Sequence, residues 1–174
     1  MLYVATILLM VAAACTRGEV TPPAATPERW VLHDVLAIGF AVPDTWIDKR
    51  ATTGLVVSGP ESETSYYTTI SLQVVQPGVD ATFDTILAAA YDDPVLETVA
   101  FGPSQALTVG ESLARWYRID FVVFDEPRRR VGVLVDDPPY VIDLSYAAPE
   151  AFFSDEVGVF ERALATFYCE PHSR

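Results

Sequence analysis

The sequence predicts an α+β fold: an antiparallel sheet of about six to seven strands flanked by helices. Three observations predict it. Short segments in which large apolar residues alternate with small or polar ones recur along the chain, separated by turn residues. Two other segments carry apolar residues at helical spacing. After residue 30 there is no internal repeat and no change of composition, so one domain, residues 31–174, is expected.

The first strand is expected over Leu36 to Val42, with Leu36, Ile38, Phe40 and Val42 on one face, and Pro43-Asp44-Thr45-Trp46 ends it. Trp46 is read as closing one end of the core rather than as a binding aromatic. Leu55 to Ser58 forms a second strand before a Gly59-Pro60 turn. Thr68 to Val75 is the third, with Ile70, Leu72 and Val74 on its core face. Phe83, Ile86, Leu87, Ala90 and Tyr91 then mark an amphipathic helix that Asp80 or Thr82 can cap and that stops at Asp92-Asp93-Pro94.

Leu96 to Phe101 is a fourth strand and Leu113 to Phe124 the longest. Tyr117, Ile119, Phe121 and Val123 face one way on it, and Trp116, Arg118, Asp120 and Val122 the other. Asp125-Glu126-Pro127 is expected to turn the chain into Arg128 to Val135, and Asp136-Asp137-Pro138-Pro139 into Tyr140 to Tyr146. A closing helix spans roughly Pro149 to Tyr168, with Phe153, Val157, Phe160, Leu164 and Phe167 as its stripe and Pro149 in the first turn. Hairpins between successive strands imply an antiparallel sheet, and each helical stripe needs a sheet face to cover.

Ahead of the domain, Leu2 to Ala14 is a run of apolar and small residues, too short to span a bilayer and suited to the apolar region of a secretion signal. It ends in Val11-Ala12-Ala13-Ala14-Cys15, which resembles the lipobox of bacterial lipoproteins. That resemblance implies a diacylglyceryl group on Cys15, removal of residues 1–14 as signal peptide, and attachment to the cell membrane facing outside the cytoplasm. Ala12 stands where the lipobox usually has Leu, and no Lys or Arg precedes the run, as a start placed too late would explain. Thr16 to Pro27 is rich in Thr, Pro, Ala and Gly, and residues 15–30 read as a solvated tether. The alternative is an ordinary cleaved signal with Cys15 incidental, in which case a Cys15–Cys169 disulfide is open in an oxidising compartment.

The order of elements and three local patterns resemble the PsbP-like superfamily, which includes the PsbP proteins of photosystem II, Ran-binding Mog-type proteins and bacterial lipoproteins of the LpqN and DcrB kinds. The patterns are Gly39-Phe40-Ala41-Val42-Pro43 with Trp46, then Tyr140-Val141-Ile142-Asp143-Leu144-Ser145-Tyr146 followed by Ala148-Pro149-Glu150, and Phe160 to Phe167 in the closing helix. The resemblance covers residues 36 to 169 and implies the fold. Its motifs are packing and turn features, so it carries over no functional residue.

Composition narrows the function. The net charge is −13, which repels nucleic acid and anionic headgroups alike. His33 and His172 are the two histidines and Cys15 and Cys169 the two cysteines, scattered too widely for a zinc site. No Gly-x-Ser-x-Gly elbow and no Gly-rich phosphate loop occurs, and no EF-hand spacing surrounds the Asp92-Asp93 or Asp136-Asp137 pairs, which read as capping and turn residues. Arg128-Arg129-Arg130 alternates faces on a strand and is expected to pair locally with Asp125 and Glu126.

The expected function is therefore a non-catalytic, membrane-anchored binding or assembly-accessory module of the envelope, without cofactor or metal. Its partner is the membrane through Cys15, together with an envelope protein or small ligand. A carrier of a small apolar or lipidic ligand and a carboxylate-dependent hydrolase are the alternatives. If the side of the longest strand bearing Trp116 and Arg118 is open, those two with Tyr66 and Tyr67 form a candidate binding surface. If a helix covers it, Trp116 is core, which is the expected arrangement.

Overall fold

The computed structural model describes residues 27–33, 38–51, 54–60, 68–78, 81–92, 95–110 and 112–169. Its strands are β1 (Glu28–Leu32), β2 (Ile38–Pro43), β3 (Ile47–Ala51), β4 (Gly54–Ser58), β5 (Thr69–Val75), β6 (Leu96–Phe101), β7 (Gln105–Val109), β8 (Ser112–Val123), β9 (Glu126–Asp137), β10 (Tyr140–Pro149) and β11 (Tyr168–Cys169). Helix α1 (Phe83–Ala90) lies between β5 and β6. A 3-10 turn (Glu150–Phe152) leads into α2 (Phe153–Thr166) after β10. This is the α+β, mainly antiparallel architecture the sequence predicts.

Most strands form one eight-stranded sheet in the order β3-β4-β5-β10-β9-β8-β6, with β7 also paired to β8. β6 pairs with the C-terminal half of β8 and β7 with its N-terminal half, so one long strand carries two short ones on its edge. The remaining strands form a three-stranded sheet, β1-β2-β11. β1 begins at Glu28, inside the stretch that composition assigns to the tether. Leu36, at the start of the predicted first strand, lies outside the described residues.

Both faces of the large sheet are covered. On one, Trp116, Val131, Val133, Val135, Ile142, Leu144 and Tyr146 meet Ile38, Phe40 and Val42 of β2 and Phe160 and Ala163 of α2. Tyr146 ties the layers together: its ring stacks on Phe160 at 5.9 Å between centroids, and its hydroxyl donates to the Phe153 carbonyl at 3.2 Å. On the other face, Leu87 and Tyr91 from the end of α1 pack on Tyr117, Ile119, Leu134 and Val141. The Thr82 side chain caps α1, accepting from the Thr85 N–H, while the Thr82 N–H donates to Thr85 Oγ1 at 2.8 Å.

Several boundaries differ from the sequence reading: Asp136 and Asp137, expected in the turn, are the last paired residues of β9, and the closing helix ends at Thr166, ahead of β11. Pro149 is the last residue of β10 rather than part of the closing helix, which begins at Phe153 after the 3-10 turn. The β8–β9 hairpin turns at Phe124-Asp125, one step before the expected Asp125-Glu126-Pro127, and both turn residues have positive φ, 51° and 61°. A left-handed pair at a two-residue hairpin suits Asn-Gly far better than an aromatic residue. Phe124→Asn with Asp125→Gly is therefore expected to stabilise the domain by about 1–2 kcal/mol, a rise in melting temperature of several degrees in a thermal melt. An unchanged or lower melting temperature would mean that the exposed Phe124 side chain holds the hairpin by contacts of its own.

Candidate functional site

The side of β8 that carries Trp116 and Arg118 is the side covered by the small sheet and α2. Trp116 is 9% exposed and belongs to the core there, so it is not available as a surface contact. Arg118 remains partly exposed at the rim and is already engaged. Its Nη2 lies 2.6 Å from Asp120 Oδ2, Asp120 Oδ1 accepts from Arg129 Nε at 2.6 Å, and Arg129 Nη2 reaches Glu150 Oε1 at 2.7 Å. Burial alone would raise the Asp120 carboxyl; the hydrogen bonds from Arg118 and Arg129 outweigh it and hold its pKa below the ordinary value. This alternating chain fastens the start of α2 to the sheet, helped by the Arg129 guanidinium 5.3 Å above the Phe153 ring. Tyr66 and Tyr67 lie outside the described residues, as does Cys15.

The three arginines of β9 take three different partners. Arg128 pairs with Glu126, as expected from the turn, at 3.1 Å. Arg129 joins the rim chain. Arg130 turns inward, toward α1, where the sequence reading places only a local charge pair. Its guanidinium sits 5.4 Å from the centroid of the Tyr91 ring, in a buried group with Tyr117 and Asp143. Burial works against the Arg130 charge, and the oxygens of the Tyr91 and Tyr117 phenols and of the Asp143 carboxyl around it outweigh that cost.

Within this group the Tyr117 hydroxyl donates to Asp143 Oδ1 at 2.7 Å. It reaches Asp143 by crossing β9 at Gly132, where an added Cβ would stand 2.6 Å from Tyr117 Cζ and Oη. Among the described residues no hydrogen bond of ordinary geometry reaches the buried Tyr91 hydroxyl or Arg130 Nε, though the two side chains lie close enough to influence each other. Burial, ahead of the opposing effect of Arg130, pushes the Tyr91 phenol up to about 12 and the Tyr117 phenol well above its ordinary value. Both phenols are therefore neutral at ordinary pH, and Tyr117 keeps its proton as the donor to Asp143. Beside the group, Ser71 Oγ and Ser145 Oγ bond each other at 2.9 Å. The sequence reading missed this cluster. Its signal was a charged residue, Asp143, set between Ile142 and Leu144 at a central position of an otherwise largely apolar strand, together with an Arg and a Gly at alternate positions of the adjacent strand.

Burial also raises the Asp143 carboxyl, and the Arg130 charge and the Tyr117 hydroxyl only partly offset this. The folded state then binds this proton more tightly than the unfolded chain, so the Asp143 contribution falls as pH rises through the raised pKa. Asp143→Asn keeps the acceptor for Tyr117 and removes the charge. The difference in melting temperature between variant and parent is expected to shift in the variant's favour as pH rises from the carboxylate range toward neutrality, because only the parent then gives up the proton that its fold holds. A gap that is constant with pH would show that the Asp143 carboxyl titrates alike in the folded and the unfolded chain.

Among the described residues no three His, Cys, Asp or Glu side chains gather as a metal site requires, and no helix is long and apolar enough to cross a membrane. A shallow groove of about 210 Å³ opens where the two sheets part, lined by Trp30, Val31, Leu32, Asp48, Leu55 and Val56.

Scans of the sequence against protein-family models and against curated proteins find no match. Solved structures do match. Cyanobacterial PsbP (CyanoP) from Synechocystis superposes with a TM-score of 0.62 at 12% identity, over 88% of this chain and 98% of that one. LpqN of Mycobacterium tuberculosis, described as involved in cell envelope biogenesis, gives 0.61 at 16% identity over 83% and 91%. A Pseudomonas aeruginosa protein described as a putative regulator gives 0.59 at 14% identity over 83% and 99%. The chain has the PsbP-like fold.

Proposed function

We propose that the chain is a non-catalytic accessory protein of the cell envelope, held to the membrane through a lipid on Cys15 and acting by binding. The observation that carries this reading is the fold shared with LpqN, in a sequence whose Cys15 closes an apolar run. On this reading residues 1–14 are removed as signal, and the stretch from Cys15 to Pro27 tethers a domain that begins with β1. Two acyl chains supply stable attachment where one would not.

The polar cluster lends no support to the hydrolase alternative. Asp143 is enclosed with Tyr117 and Arg130 beneath α1, whereas glycoside chemistry needs two carboxyl groups facing a shared cleft. The groove beside β1 favours a small apolar ligand as second reading, although its 210 Å³ is below the about 300–1,000 Å³ of ordinary ligand sites.

Mass spectrometry of the N-terminal peptide, taken from the membranes of the native cells, should find Cys15 as first residue and diacylglyceryl-modified. An unmodified Cys15, or a Cys15–Cys169 disulfide, would refute the anchoring. The purified protein should turn over no ester, peptide, phosphoester or glycoside substrate. Hydrolysis lost on replacing one carboxylate would move the chain to the hydrolases.

A further inference from the structure

The outward side of the three-stranded sheet is apolar where an alternating strand in water is usually polar. Strand register puts Leu32, Gly39 and Tyr168 in one row and Trp30 beside Ala41 in the next. Val31, Ile38, Phe40 and Val42 point the other way, into the core. Leu32 lies down across Gly39, where an added Cβ would meet its Cδ2 at 2.5 Å. Trp30, Leu32 and Tyr168 are 57%, 61% and 51% exposed. The charged side chains at the margin are paired with one another: Glu28 accepts from Arg162 at 3.0 and 3.2 Å, and Arg29 bonds Asp48 at 2.5 Å.

We propose that this face, Trp30, Leu32 and Tyr168 over Gly39 and Ala41, is the surface by which the domain lies against the bilayer that holds it. The proposal rests on the reading of Cys15 as lipid anchor. Thr16 to Pro27 is twelve residues, and β1 follows at once. Twelve residues reach at most about 40 Å even when fully extended. β1 is thus the part of the domain held nearest the anchor, and β11, bearing Tyr168, is two strands away in the same sheet. Trp and Tyr prefer the boundary between headgroups and acyl chains, where a ring can be half dry, and Leu adds apolar area beside them. The chain's net charge of −13 opposes attraction to anionic headgroups, so contact has to come through an apolar face with its margin charges neutralised.

The tryptophans make the test direct. Of the three in the chain, Trp46 is 4% and Trp116 9% exposed, so a quencher carried by lipid reaches Trp30 first. The full lipid-modified protein is placed in phosphatidylcholine vesicles, plain or brominated near the headgroup end of the acyl chains. Tryptophan emission should fall in the brominated vesicles, and the fall should vanish in Trp30→Phe. Leu32→Ser with Tyr168→Ser should reduce it at an unchanged melting temperature.

In a second arm the full chain carries Cys15→Ser and a C-terminal histidine tag held by nickel-chelating lipid. Quenching in this arm, with Cys15 found unmodified in native membranes, would discard the anchor and keep the face. No quenching in either arm overturns the proposal. So does a Trp30 that ignores brominated lipid yet is shielded from acrylamide in native membranes, which would assign the face to a protein partner.

Discussion

Trp46→Ala is expected to cost about 3–5 kcal/mol of stability, the range for removing a large aromatic from a packed core. Trp46 is 4% exposed at the end of β2, where the chain turns through Asp44 and Thr45 and the Trp46 N–H returns to the Pro43 carbonyl at 3.0 Å. The indole lies against Gly59, where an added Cβ would be 3.3 Å from Cζ2, and the Trp46 carbonyl accepts from Arg29 Nη2 at 2.7 Å. The side chain thus joins the end of β2 to the end of β4, while its backbone holds β1. A domain of this size has about 5–15 kcal/mol in all, so the variant should melt far below the parent or fail to fold. Trp30→Ala is the control. Its side chain is mostly in water, and the change should stay within about 0.5 kcal/mol. Equal melting temperatures for Trp46→Ala and the parent would mean that the indole is a surface contact.

The strands that were legible in the sequence are those whose two faces differ in size or polarity. β5 reads clearly because Ile70, Leu72 and Val74 enter the main core while Thr69, Ser71 and Gln73 lie on the other side. β8 reads for a different reason, since both its faces are covered and its length alone marks it. β3 was missed because Ile47-Asp48-Lys49-Arg50-Ala51 is an edge strand with one large apolar residue, the polar composition that keeps edges from pairing with other chains. β7 offers only Leu107 and Val109 to the core after Gly102-Pro103 has interrupted the chain. β1 gave no periodic signal because Val31 goes inward while Trp30 and Leu32, equally apolar, go outward. The feature that hid β1 as a strand is the one that makes its outer face a candidate surface.

The buried cluster was illegible for another reason. Its contacts are non-local: Tyr117 and Asp143 come from strands separated by β9, and Tyr91 comes from the end of α1. Arg130 sits in a run of three arginines that reads as pairing locally with Asp125 and Glu126, and nothing within the run marks the inward one. Only the pairing of Tyr117 with Gly132, and of Gly132 with Ser145, reveals the path by which a tyrosine crosses one strand to reach a carboxylate on the next.

That path makes Gly132→Ala the second large effect. An added methyl would lie 2.6 Å from Tyr117 Cζ and Oη and 2.8 Å from Ser145 Cβ, closer than carbon atoms approach. The Tyr117 ring is packed among Ile119, Leu134 and Val141 and cannot swing aside without leaving Asp143. Overpacking costs about 1–3 kcal/mol, and a buried carboxyl that loses its donor costs about 1–3 more. The variant should therefore lose about 2–6 kcal/mol in denaturant unfolding. Tyr117→Phe loses only the hydroxyl and should fall at the lower end of that range. Tyr117→Leu removes the obstructing ring, so in that background Gly132→Ala should cost clearly less than alone, a coupling above about 0.5 kcal/mol. Strict additivity of the two changes would mean that the ring does not need the glycine, and that Asp143 is held in the sheet by something other than a tyrosine lying across it.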